Sequence, residues 1–212
     1  MSYKYIEQVM ASIDSYLRER DSVREEVIRV SRDIVRLSKQ IILLIQFNNL
    51  DEAVKRAQEL DSIVSSMISK LNEYPDILYS GLTYNAISEY VEAQLLLDIA
   101  RNEPIRGFRE LRIPPVPYLQ GLGDLVGELR RLILEKIKVN DYSEAWRLFK
   151  VMETIYMSLS KLEYPEALIP GVRHKVDIAR RIVDETLAFI LDLESRSRLQ
   201  ESLGSARRVL EF

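Results

Sequence analysis

The sequence predicts an all-α fold made of two halves that carry the same pattern, and three observations predict it. Apolar residues recur at three- and four-residue steps through long uninterrupted segments, the period of one helix face. Glycine and proline are scarce, seven of each in 212 residues, and four of the prolines crowd between Asn102 and Pro117. That suits helices better than the turn-rich strands of a β-sandwich. Finally, the stretch after residue 116 repeats the landmarks of the stretch after residue 23.

Val27, Val30, Ile34, Leu37, Ile41 and Leu44 share one face of a helix expected from Val23 to Phe47. Arg29, Arg32, Arg36 and Lys39 form a second stripe on it at steps of three, four and three. Such a stripe is either a solvated face or a row of cations spaced along a phosphate backbone. After a break at Phe47-Asn48-Asn49, Asp51 is expected to cap a helix that turns Ala53, Ala57, Leu60, Val64, Met67, Ile68 and Leu71 to the core. That helix ends near Tyr74-Pro75, and the next is expected from Leu78 to Arg101. The linker, 102–117, holds Pro104, Pro114, Pro115 and Pro117, which helix interiors exclude. Three helices follow: one from Tyr118 to Val139, one after a break at Asn140-Asp141 to about Leu162, and one from Gly171 onward. The polar tail after Ser195, interrupted by Gly204, is expected to fray.

The two halves run from about 23 to 103 and from 116 to 195. Asp33-Ile34-Val35 answers Asp124-Leu125-Val126, and Lys39-Gln40-Ile41 answers Arg130-Arg131-Leu132 at the same offset. Asn49 falls against Asn140, while Glu52-Ala53 matches Glu144-Ala145 after one inserted residue. Ser69-Lys70-Leu71 with Glu73-Tyr74-Pro75 answers Ser160 through Pro165. A unit of three helices occurring only twice is a duplicated bundle element and no solenoid.

Composition narrows the function classes. A 47% hydrophobic, 30% charged chain buries a core and keeps a hydrated surface. The absence of cysteine excludes disulfides, zinc-thiolate sites and a cysteine nucleophile. With neither a leader pattern nor an apolar run near ~18 residues, a cytoplasmic protein without membrane partners is expected. A net charge of −3 and a pI near 5.5 exclude binding to nucleic acid by bulk basicity, so any such site is a local patch.

Glu89 and Glu92 stand three residues apart on one helix face, with Asn85 on the same stripe. Asp124 and Glu128 stand one turn apart on the helix after the linker, beside Gly123 and Gly127, small residues that let another helix come near. Converging, these acids could hold a divalent cation, since hard ions prefer carboxylate oxygens; separately, they are solvated or first-turn acids. His174 has no second histidine to pair with and is expected on the surface near a helix start. Trp146 and the tyrosines fall at core or interface spacing.

The segment from Pro117 through Gly121-Leu122-Gly123-Asp124-Leu125-Val126-Gly127-Glu128 to Arg130-Arg131, with Asn140-Asp141-Tyr142 behind it, resembles the signature of the translin family. Glu89-Tyr90-Val91-Glu92-Ala93 is similar to the matching segment of its catalytic branch, translin-associated factor X, as is Val30-Ser31-Arg32-Asp33-Ile34 with Ser38-Lys39. The likeness runs from about Val23 to Leu193 and makes 1–212 a single domain of that family. It implies a translin-like bundle of about seven helices, a hollow homo-oligomer, usually an octamer, and binding of single-stranded RNA or DNA. For the factor X branch it further implies a Mg²⁺-dependent endoribonuclease, with Mn²⁺ as a substitute ion. The metal and catalytic acids then correspond to Glu89, Glu92 and Asp124. This chain departs from eukaryotic factor X in its shorter N-terminus and compact linker.

On that reading Glu128 is a further catalytic candidate, as ligand, as an acceptor that orients a ligand, or as base. Arg32, Lys39, Arg130 and Arg131 are candidates for holding phosphates. A non-catalytic single-strand binder and a plain helical scaffold are the competing readings. The repeat sharpens the choice of acids. Glu89 and Glu92 fall against Ala179 and Ile182, and Glu128 against Leu37, so only one set is complete.

Overall fold

The computed structural model describes the backbone of residues 2–210 and the side chains of 3–196 and 199. Among the described residues there are seven helices and no strand. They are α1 (Ser2–Gln46), α2 (Leu50–Leu71), α3 (Pro75–Leu78), α4 (Gly81–Ala100), α5 (Pro115–Lys138), α6 (Tyr142–Leu159) and α7 (Val172–Leu210). The chain divides into two compact units, Met1–Leu122 and Gly123–Phe212, and the boundary falls inside α5. No described helix is long and apolar enough to cross a membrane.

In the first unit α1 packs on α4 and α2, and α4 also touches α2 and α3. α4 is buried nearly all round, from Ala86 and Ile87 through Leu95, Leu96 and Leu97 to Ile99, the pattern of a helix at the centre of a core. Because α1 faces two helices, its buried arc is wider than one apolar stripe. Val27, Ile34, Leu37 and Ile41 are inside as expected, but Ser31, Ser38 and Ile45 join them, while Val30 and Leu44 are half-buried.

α1 begins at Ser2, well ahead of Val23, since no proline or glycine interrupts the first 22 residues. Tyr3, Ile6, Met10, Ile13 and Leu17 are exposed on this extension. Its base is fastened to α2 and α3: the Tyr74 hydroxyl donates to Glu19 at 2.7 Å, Lys70 pairs with Glu26, and Arg20 lies over the Tyr16 ring and pairs with Asp76.

Other boundaries also differ from the expectation. Asn49, and not Asp51, caps α2, its side chain accepting from the Glu52 amide, while Asp51 joins Glu52 in the first turn. Asp141 caps α6 through the Glu144 amide in the same way. Asn48 and Asn140 both take φ near 60°. The repeat therefore aligns Asn48 with Asn140 and Asn49 with Asp141, one residue off the expected register. The helix expected from Leu78 starts at Gly81, because Ser80 caps it by accepting from the Thr83 amide, and Pro75 opens the separate turn α3. α5 starts at Pro115, since proline is tolerated in a first turn. α7 runs on through Gly204 to Leu210.

Residues 101–114 form no helix, and Arg106 ties them down. Its guanidinium donates to Asp98 at 2.9 Å and to the Gln94 carbonyl at 2.8 Å, and its backbone amide donates to Asp98 at 3.2 Å. The Gln94 amide and the Tyr90 hydroxyl each reach Asp61 of α2 at 2.7 Å. Burial opposes the charge on Arg106, but the hydrogen bond and ion pair with Asp98, aided by Asp61, more than offset it and raise its pKa. Burial, then the hydrogen bond to Asp61, pushes the Tyr90 phenol far up, so it stays a neutral donor.

In the second unit α6 packs on α7, burying Leu148, Met152 and Ile155 with Ala179, Val183 and Ile190 among the core residues. Trp146 meets Phe149 edge-on and donates to Glu194 at 2.6 Å, a structural role as expected, and His174 is exposed near the start of α7.

Asp98 is 4% exposed, so removing its cation leaves a buried carboxylate unpaired. Arg106→Met is expected to lower unfolding stability by about 2–4 kcal/mol, the lower end allowing for the part of Arg106 that stays hydrated. Urea unfolding followed by circular dichroism measures this, and a loss under about 1 kcal/mol would remove the network from its anchoring role.

Candidate functional site

In the first unit a cleft of ≈ 660 Å³ opens where α1 meets α4. From α1 it takes Ser31, Arg32, Arg36 and Lys39; from α4, Leu82, Asn85 and Ala86. Arg36 is paired with Asp33 at 2.8 Å. Among the described residues Arg32 and Lys39 have no ion-pair partner, and both are exposed. The stripe noted in the sequence is thus a groove wall. The Ser31 hydroxyl, buried behind it, has no hydrogen-bond partner among the described residues.

Along α4 from Asn85 come Glu89, half-buried, and Glu92, 9% exposed. The helix spacing turns both carboxylates to one side. α5 meets α4 beside them at Gly121. A Cβ on Gly121 would lie 2.7 Å from the Ser88 carbonyl oxygen and 2.7 Å from Val91 Cβ, so only glycine permits this crossing. The glycines expected to admit a neighbour were Gly123 and Gly127. At Gly127 nothing lies within 4 Å, and Gly123 meets Lys175 of α7, not α4.

The remaining candidates lie in the second unit. Both oxygens of Asp124 accept from the Lys175 ammonium, at 2.5 and 2.6 Å. Glu128 is half-buried one turn on. Arg130 is held by Glu185 at 2.6 Å, and Arg131 is exposed. The structure thus brings Arg32 and Lys39 to the α4 groove and sets Glu89 beside Glu92, while Asp124 and Arg130 each have a partner from α7. Among the described residues, no three His, Asp or Glu side chains are grouped so as to hold a metal ion.

Three participants escaped sequence reasoning. Arg106 sits in the linker without a motif, and Lys175 and Glu185 are ordinary charged residues of a long helix. The one available signal was Tyr90, Gln94 and Asp98, polar groups at four-residue steps in an otherwise apolar helix.

Comparison with known proteins places these residues among relatives. The model of the Translin family matches residues 22–193. An uncharacterized protein of Methanocaldococcus jannaschii is 33% identical over 209 residues, covering 94% of this chain and 91% of its own length. Among solved structures, AfC3PO in complex with duplex RNA is 30% identical at a TM-score of 0.80, covering 88% of this chain and 97% of that one. The apo form of NeC3PO, 24% identical at a TM-score of 0.77 and covering 86% and 95%, is similar in fold.

The two glycines of α5 with opposite surroundings give a paired test. Gly121→Ala forces α5 off α4 and is expected to cost about 1–3 kcal/mol. Gly127→Ala, with open space and a better helix former, is expected to stabilise by about 0.5–1 kcal/mol. Thermal melts of both variants read the difference; equal shifts would refute the close α4–α5 contact.

Proposed function

Because the chain belongs to the Translin family, we propose that it binds single-stranded RNA and cuts it as a Mg²⁺-dependent endoribonuclease, working as a hollow homo-oligomer, an octamer, in the cytoplasm. The observation that carries this reading is the α1–α4 groove. Arg32 and Lys39, which have no ion-pair partner among the described residues, line it, and Glu89 and Glu92 lie further along α4, beyond the lining residue Asn85. A related protein solved with duplex RNA supports RNA as the ligand.

Arg32 and Lys39 stand two helical turns apart on α1 and would neutralise phosphates and set the register of a strand along the helix. Arg131 is exposed and able to take a phosphate, whereas Arg130 does so only by exchanging Glu185 for it. Glu89 and Glu92 offer hard oxygen donors of the kind that Mg²⁺ or Mn²⁺ prefers, whereas Asp124, in the second unit, is held by Lys175. An ion bound there would supply polarisation of the scissile phosphate and a water of lowered pKa. Glu128 would orient a neighbouring group or accept a proton from it.

A second reading, single-stranded DNA or RNA binding without cleavage, is favoured by one observation. Both oxygens of Asp124 are already engaged by a lysine.

Labelled single-stranded RNA, duplex RNA and single-stranded DNA, each with Mg²⁺ or EDTA, separate the two. Cleavage of single-stranded RNA in Mg²⁺ alone is expected, falling by about 10²-fold or more in a Glu89→Ala, Glu92→Ala variant that still binds. Cutting that persists in EDTA or in the variant would overturn the metal reading; binding with no cutting leaves the second. Arg32→Ala with Lys39→Ala should weaken binding and flatten its salt dependence by about 0.7 log units per residue. Light scattering tests the assembly.

A further inference from the structure

The first 21 residues lie ahead of the stretch that the Translin family model matches, 22–193, and they carry a pattern of their own. On the α1 extension Tyr3, Ile6, Met10, Ile13 and Leu17 follow one another at steps of three, four, three and four. That is the spacing of a seam that faces one other helix, narrower than the face a helix turns to a globular core. The seam is open, its exposure running from 44% at Ile13 to 83% at Tyr3. A continuous apolar surface of this kind marks a contact site. Below it, Glu19, Arg20 and Glu26 tie the helix to α2 and α3, which holds the seam clear of its own bundle.

The next seam position after Leu17 is Arg20, and it selects the occupant. Two extensions laid parallel would set Arg20 against Arg20, like charges in one layer. Laid antiparallel, they set Met10 against Ile13, Ile6 against Leu17, and Arg20 against Tyr3, a cation facing an aromatic ring. Arg20 already lies over the Tyr16 ring of its own chain, 3.6 Å from the centroid. In the same register Glu7 meets Arg18, itself paired with Asp14, and Lys4 meets Asp21, so charge matches charge beside the seam. Exposed Val9 and Tyr16 widen the apolar contact on the other side. Leu17 and Arg20 also line a cleft of ≈ 770 Å³ with Ile28, Ile77 and Leu82, and Tyr3 of a second copy arrives at its mouth. Two heptads alone are short for a coiled coil, and the cleft at each end adds the remaining contact.

We propose that the α1 extension is a docking arm whose partner is the same segment of a second copy, laid antiparallel across a twofold axis. The proposal rests on the homo-oligomeric reading given above and names one of its contacts, made by residues outside the family match.

Because the chain has no cysteine, introduced ones report the pairing directly. In the full-length Ile6→Cys, Leu17→Cys double variant the two thiols stand about 16 Å apart along one helix, beyond the span of a short bismaleimide. Antiparallel arms bring Cys against Cys between copies, so the double variant is expected to give cross-linked dimers and each single variant almost none. Adding Met10→Glu and Ile13→Glu, with folding checked by circular dichroism, is expected to lower the dimer yield about tenfold or more by burying charge in the seam. Dimers that persist in that variant, or that form from either cysteine alone, overturn the proposal. Light scattering on the parent separates the two levels. An oligomeric parent whose double variant does not cross-link overturns the arm and leaves the assembly; a monomeric parent overturns both.

Discussion

The first unit depends on one guanidinium. Residues 101–114 form no helix, and their backbone hydrogen bonds, such as Glu110 and Leu111 to the Gly107 carbonyl, are local turns that do not attach the segment to the core. Arg106 supplies that attachment. It fixes this segment to α4 through Asp98 and Gln94, and Gln94 and Tyr90 carry the connection to Asp61 of α2. Hydrogen-bonded on every side, such a network specifies one arrangement where an apolar contact would allow several. The Tyr118 hydroxyl then donates to the Arg106 carbonyl at 3.1 Å, so the start of α5 is set by the same residue, and Gly121 lets it settle against α4.

Much of this architecture was legible in the sequence, because the period of apolar residues is imposed by burial itself. α2 buries the residues its spacing singles out, with Ile68 half-buried, and the helix-free stretch falls at the prolines, though it ends at residue 114 because Pro115 and Pro117 enter the first turn of α5. What was not legible depends on contacts that no local pattern encodes. The inward face of α1 widens to Ser31, Ser38 and Ile45 because two neighbours share it. The cap of α2 moved from Asp51 to Asn49 because an Asn side chain reaches the free amide there. At the candidate site, the pairing of Glu89 with Glu92 follows from helix spacing alone. Lys175, 51 residues from Asp124, could be connected to it only by the fold.

The electrostatics separate ordinary surface from groove. Several cations of this chain are neutralised within their own helix, as Arg36 is by Asp33, Arg147 by Glu144 and Lys150 by Glu153. Pairs of that kind contribute little to stability and leave little field beyond the surface. Arg32 and Lys39 have no such neighbour, so their charge extends into the cleft. In an acidic protein the effect is local: an anion is attracted at this groove and repelled by the molecule as a whole. The three glycines of α5 work at the same scale. Gly121 sets the distance to α4 and Gly123 lets Lys175 reach Asp124, whereas Gly127 serves no close contact in this chain.

The length of α1 has a consequence for how the chain comes into being. It leaves the ribosome before α4, yet α4 is its main packing partner and is synthesised last among the helices wholly within the first unit. Until Ala100 has emerged, the longest helix of the protein has only α2 to lie against, with one apolar side open to water and to chaperones. Translation speed between Gln46 and Ala100 therefore sets how long that side stays uncovered, and a slow passage there is where the newborn chain is most exposed to misassociation.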